Sequence, residues 1–326
     1  MITVAYITMR LENQFDWFFK GLCEQKKRFP EMAIQLIVVD YWKENRVLNL
    51  ENDCGIECLH VLPLPSLWQG KHKVTKDNWF TCANSRNTVF VYAKYDYIAS
   101  CDDLTVLGDS WLSSVLDGYR GKYCALGSYQ KAYDMHVENG KLISARVESD
   151  GKDSREYLCR INTRISCKGD FLFGCSFTVP LEKALEINGF DCLTDSIGYE
   201  DQVFGIRLAR VGCKFYYDRR MFTTESHDHV RNNMTVKRHD PVLGESRYKE
   251  LLNQFRINRS FYDQSANKDC SHILIEVARG STPQSVWNFF SLRQLRAKVQ
   301  TGHEITIDDM NYRDTTWYDN KLISEM

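Results

Sequence analysis

No window of this 326-residue sequence approaches the ~18 consecutive uncharged apolar residues of a membrane span, so no transmembrane helix is expected. No secretory leader is expected either, since Met1–Thr8 has no basic segment and runs straight into Arg10, Glu12 and Asn13. Excess charge of either sign is absent, with 42 Lys plus Arg against 43 Asp plus Glu and a net charge of −1. That balance leaves no footprint for holding a nucleic-acid polymer, so any anionic ligand must be gripped by a local site. Internal repeats and low-complexity tracts are also lacking. At 43% hydrophobic and 26% charged residues the composition is globular, and the chain can bury a substantial core without staples. Length admits two domains of roughly 150 residues or one large α/β domain with an appendage.

Cysteine is in surplus, at twelve. The closest pair, Cys54 and Cys58, has no metal-ligand company, and Cys101, Cys175 and Cys213 sit in apolar runs. Reduced thiols in a cytoplasmic protein are therefore expected.

The hydrophobic pattern begins with a β-rich run at Ile2–Thr8, a helical period over Glu12–Lys27 and a nearly continuous apolar run at Ala33–Val39. Strand, helix and strand within forty residues make a βαβ unit, which requires parallel strands. Further strands are predicted at Ile56–Leu62, Tyr95–Ser100, Tyr123–Ser128, Phe171–Val179 and Lys214–Tyr217. Helices are predicted from Asp77 to Ala93 and at Asp109–Leu116, Leu181–Ile187 and Glu200–Arg210. Asn139-Gly140 centres a hairpin spanning Tyr133–Val147, and Ser149–Glu156 reads as loop. Beyond about Leu243 the pattern turns helical, at Glu245–Phe255 and Pro283–Val299. The expected organisation is an α/β unit over residues 1–240 and a helical extension over 241–326.

Four motifs carry chemistry. Asp102-Asp103 closes a buried strand, where open α/β sheets bind ligands, and two carboxylates there suit Mg²⁺ or Mn²⁺ or simply open a solvated loop. Arg86, in Asn84-Ser85-Arg86-Asn87, offers a donor fork for phosphate or a base carbonyl, or is a surface helix residue. Glu200-Asp201 opens a helix, as caps favoured by the macrodipole or as a general base facing a cleft. His227 and His229, in Glu225-Ser226-His227-Asp228-His229, can complete a metal site or lie in a surface loop.

The order of these motifs is more telling than any one of them. The segments ITVAYITMR, AIQLIVVDYW, SRNTVFVYAKYDYIASCDD, GDFLFGCSFTVPLEKALEINGFD, GYEDQVFGIRLARVGCKF and ESHDH span residues 2–230. Together they resemble the GT-A glycosyltransferases, most closely glycosyltransferase family 2, with a secondary likeness to the β-1,4-galactosyltransferase type. The resemblance implies a Rossmann-like nucleotide-diphospho-sugar transferase fold, a mixed, mostly parallel sheet flanked by helices. It implies a metal-dependent inverting transfer from a nucleotide sugar, a UDP-sugar by preference, to a hydroxyl of a glycan or other acceptor. Thr8, Arg10, Asp40, Arg86, Asp102, Asp103 and Gly174 fall on the donor side. Asp103 is the expected direct ligand of Mn²⁺ or Mg²⁺, with His227 or His229 as a late ligand. Asp201 matches the catalytic base, with Glu200 as its acceptor-side partner.

The sequence departs from the family in places. Tyr41 stands where a second Asp often follows the second strand, the metal motif reads Cys-Asp-Asp, and nothing after Leu243 matches. Two competing readings are a nucleotidyltransferase and a catalytically silent GT-A protein. The first is disfavoured because TMRLEN after the first strand has no glycine. The second is disfavoured because a silent copy need not keep Asp102, Asp103, Asp201 and His227 together.

Overall fold

A computed structural model describes residues 1–64, 82–159, 161–190, 200–232, 290–306 and 308–311. Strands β1 (Ile2–Thr8), β2 (Ile34–Asp40), β3 (Glu57–Val61) and β4 (Tyr97–Asp102) form a parallel half-sheet in the order β3-β2-β1-β4. Helix α1 (Phe15–Lys26) makes the first crossover and α2 (Cys82–Tyr92) leads into β4. Next come β5 (Thr105–Leu107), α3 (Trp111–Gly121), β6 (Cys124–Glu138), β7 (Lys141–Arg146) and β8 (Arg164–Cys167). Then follow β9 (Ser176–Pro180), α4 (Leu181–Glu186), α5 (Glu200–Arg210), β10 (Phe215–Ser226), α6 (His227–Asn232) and α7 (Leu292–Gln300). The sheet continues from β4 as β9-β6-β10-β5. Strands β1–β4, β6 and β10 run one way, and β5, β7, β8 and β9 run against them. This is the mixed, mostly parallel α/β architecture expected.

Every residue of β1 and β2 is buried because both faces are covered. Ile2, Val4 and Tyr6 point into a cluster with α1 and α3, while Ala5 and Ile7 point into one with α2, α4 and α5. Phe290, Leu292, Leu295, Ile305 and Met310 from the C-terminal region join the second cluster, so α7 is packed against the α/β core.

Several elements differ from the sequence reading, each for a local reason. Helix α1 starts at Phe15 and not Glu12, since Gln14 is left-handed (φ 51°) and Asn13 Oδ1 accepts the Phe15 N–H at 3.1 Å. Phe171–Val179 is strand only from Ser176. Gly169–Phe171 forms a 3₁₀ turn, where the backbones of Gly169 and Gly205 approach too closely for a side chain. Strand β10 runs nine residues past Tyr217 because a bulge between Asp218 and Thr223 absorbs the polar Asp218-Arg219-Arg220. Glu225 and Ser226 therefore end a strand and His227 opens a helix, where a loop was expected. Strands β5 and β8 were not anticipated, and 3₁₀ turns occupy part of the loop expected over Ser149–Glu156. The helix expected at Glu245–Phe255, the start of the one expected from Asp77 and residues 283–289 of the last expected helix lie outside the described residues.

Candidate active site

The parallel register aligns the C-terminal ends of three strands, pairing Thr8 with Asp40 and Ile7 with Asp102. Antiparallel β9 starts at the same edge, with Ser176 opposite Cys101 and the Asp102 N–H donating to the Cys175 carbonyl at 3.3 Å. From the other side, β10 brings Glu225 opposite Thr105, and the Ser226 N–H donates to the Leu104 carbonyl at 3.0 Å. One sheet edge thus gathers Asp102-Asp103, Gly174 and Glu225-Ser226-His227. Helix α5 aims its N-terminus at this edge, where Asp201 Oδ2 accepts the Gly174 N–H at 2.8 Å.

Arg86 lies at the centre. Its side chain is only 4% exposed, with Nη2 3.1 Å from Asp102 Oδ1 and Nη1 2.7 Å from Glu200 Oε1. It stacks 5.4 Å from the Phe190 ring, and a Cβ at Gly174 would run into its guanidinium. Its fork is turned to two carboxylates of the protein. It joins the strand-edge carboxylate to the helix-end pair.

The two neighbouring aspartates differ from each other. Asp103 is the buried one: Thr8 Oγ1 donates to its Oδ2 at 2.7 Å and Arg10 Nε to its Oδ1 at 3.1 Å. Asp102 is the more open, with its side chain 33% exposed and only Oδ1 bonded among the described residues. Thr8 is tied to Asp103 and to the Arg10 N–H (3.2 Å). Asp40 is wholly buried and accepts the Trp42 N–H at 2.8 Å, with His60 Nε2 at 3.1 Å and Arg46 Nε at 3.0 Å. It braces the Tyr41–Arg46 segment.

Electrostatics separates the acidic pair on α5. Burial alone would raise the Glu200 pKa, but Arg86 holds it below the ordinary value. Burial and the neighbouring Glu200 charge push Asp201 up to about 7, against the pull of Arg86 and the Gly174 and Gln202 N–H groups. One carboxylate is kept ionised while its neighbour titrates near neutral pH.

Glu225 was not singled out from the sequence. Burial and the charges of Asp102 and Asp103 push it up to about 7, with Lys131 and Arg10 opposing. Two-residue alternation into His227 could have flagged it had β10 been extended that far. His227 stacks on Tyr133 at 4.7 Å, while His229 meets Ser226 Oγ through Nδ1 at 2.8 Å and Trp17 edge-on. Among the described residues, no group of three or more His, Cys, Asp or Glu side chains is closed round a metal position. The donor chemistry suits a hard cation: the part-exposed Asp102 carboxylate, the Glu225 carboxyl that feels its charge, and an imidazole one residue beyond Ser226. Mg²⁺-type sites need only one or two carboxylates when ligand phosphates supply the rest.

No family model matches the sequence, and no curated protein matches it. Among solved structures, that of GalNAc-T7 with UDP, GalNAc and Mn²⁺ aligns with 100% of this chain at 10% identity and a TM-score of 0.52. The chain has the GT-A glycosyltransferase fold. It spans 57% of the length of that GalNAc-T7 chain. Two structures of S. aureus TarS align at 11% identity and a TM-score of 0.48. One covers 79% of this chain and 44% of its own, and the other, TarS 1-349, covers 99% and 91%.

Proposed function

We propose that the protein is a GT-A glycosyltransferase that moves a sugar, with inversion, from a nucleotide-sugar donor, UDP-sugars first, to an acceptor hydroxyl. The observation that carries this reading is the link through buried Arg86 between strand-edge Asp102 and the α5 pair, whose Asp201 titrates near 7. Asp201 takes the proton from the acceptor hydroxyl. The acceptor oxygen then attacks the anomeric carbon on the face opposite the leaving nucleoside diphosphate. An ordinary aspartate is too weak a base for this, whereas one near 7 matches the working pH, and general-base catalysis is worth about 10²–10⁴-fold. Glu200, kept ionised by Arg86, supplies the charge that tunes its neighbour.

On the donor side, Asp102 would hold Mn²⁺ or Mg²⁺, with Glu225 and His227 as further donors and Asp103 as a brace beneath. When bound, such an ion neutralises charge developing on the diphosphate. The UDP, GalNAc and Mn²⁺ found with GalNAc-T7 belong to the ligand classes proposed. Residues 1–240 would form the catalytic unit and 241–326 a helical addition whose described part supports α2. Among the described residues no helix is long and apolar enough to cross a membrane, and the ten described cysteines are free thiols. Those thiols support a cytoplasmic location.

The test is a melting-temperature screen of nucleoside diphosphates and their sugars with and without Mn²⁺, since a ligand of the folded state raises stability by mass action. Stabilisation by one nucleotide in the presence of Mn²⁺, with release of the diphosphate from its sugar, is expected. No shift with any nucleotide would sink the proposal.

A further inference from the structure

Outside the Arg86 network the structure encloses a second charged knot. Arg155 and Asp153 are both buried in the segment between β7 and β8. Arg155 Nε donates to Asp153 Oδ1 at 2.9 Å, and Nη2 donates to Asp153 Oδ2 at 2.7 Å. Nη2 also donates to the Gly127 carbonyl on β6, and Nη1 to the Phe171 carbonyl, both at 2.7 Å. The guanidinium centre lies 4.2 Å from the Phe173 ring and 5.0 Å from that of Tyr217, whose hydroxyl donates to Asp153 at 3.0 Å.

A buried ion pair is a weak source of stability, because desolvation offsets most of the attraction. What this one achieves is geometric. Three backbones converge on one rigid plane: the segment bearing Asp153, strand β6, and the turn from Phe171 to Gly174. That turn carries the Gly174 N–H that donates to Asp201, and Arg155 grips it twice, at the Phe171 carbonyl and at the Phe173 ring. Lysine could not replace it, since a point charge has neither the fork nor the stacking face.

We propose that Arg155 is a positioning residue that sets the Phe171–Gly174 turn and thereby the hydrogen bond on Asp201. The proposal rests on the reading of Asp201 as general base. Arg155 touches no reacting atom, because its donors are spent on protein acceptors. Loosening the turn weakens the Gly174 N–H bond, which holds the Asp201 pKa down, so the base titrates higher and sits less accurately.

Arg155→Lys and Phe173→Leu test this together. The second leaves the ion pair intact and guards against a first variant that fails to fold. Three quantities are measured in each: amide exchange of the 171–176 segment, UDP–Mn²⁺ affinity, and the pH profile of kcat. Faster exchange in that segment is expected, with affinity nearly unchanged, the acid limb moved upward and kcat reduced by up to about 100-fold, the scale for a misplaced catalytic group. Unchanged exchange at 171–176 in the folded variants, or parallel losses of affinity and kcat with a fixed acid limb, overturns it. If the wild type moves no sugar, the glycosyltransferase reading fails by itself. The exchange of the Gly174 amide then still decides whether Arg155 holds the turn.

Discussion

At the scale of single residues, adjacent carboxylates take different parts because their surroundings differ. The Asp102 side chain is partly open to solvent and that of Asp103 is enclosed. Asp103→Ala should therefore cost about 3–5 kcal/mol, the scale for breaking a buried charged pair, in chemical denaturation. Asp102→Ala should cost less stability, because Glu200 still pairs with Arg86, and should abolish the Mn²⁺-dependent part of nucleotide binding in titration calorimetry. Asp201 carries a pH-dependent stability of known sign. Its folded pKa is raised, so its stabilising contribution is complete below the ordinary carboxylate pKa and is lost as pH rises through about 7. Asp201→Asn should thus melt higher than the wild type at pH 8, with the gain shrinking as pH falls toward 4. Residue types and spacing made the candidate carboxylates legible in the sequence. Which of the two is enclosed was not, because Thr8 and Arg10 reach Asp103 from more than ninety residues away.

At the scale of elements, the strands buried on both faces and the helix opening at Glu200 could be read directly, since their patterns are long and periodic. The length of β10 could not, because a bulge hides strand inside a charged tripeptide. Arg155 and Asp153 fell in a polar stretch that carries no periodic signal at all. The hairpin at Asn139-Gly140 was legible from turn chemistry, and both residues adopt positive φ (48° and 75°). Its tip also docks on α1, where a Cβ on Gly140 would strike the Gly21 backbone. Gly140→Ala should accordingly destabilise by more than about 1 kcal/mol in equilibrium unfolding, as strain and collision add. Gly55→Ala, also at positive φ (73°) but with open space around it, should cost less.

At the scale of the whole molecule, near-neutral charge fits a protein whose anionic ligand is met at one sheet edge. Two apolar clusters clamp the sheet, and one of them includes α7. Its Leu292 and Leu295 pack into that cluster beside residues of α2, the helix bearing Arg86. The central claim is that Asp201 is a base tuned to neutrality in a sugar-transfer site. Its most direct test is the rate of sugar transfer from a saturating UDP-sugar with Mn²⁺, followed from pH 5 to 9 in the wild type and in Asp201→Asn. The account predicts a rate that rises with a midpoint near 7 in the wild type, and a variant that binds UDP normally yet transfers at least about 10²-fold more slowly. A variant that keeps the wild-type rate, or a wild-type rate flat across that range, would contradict it.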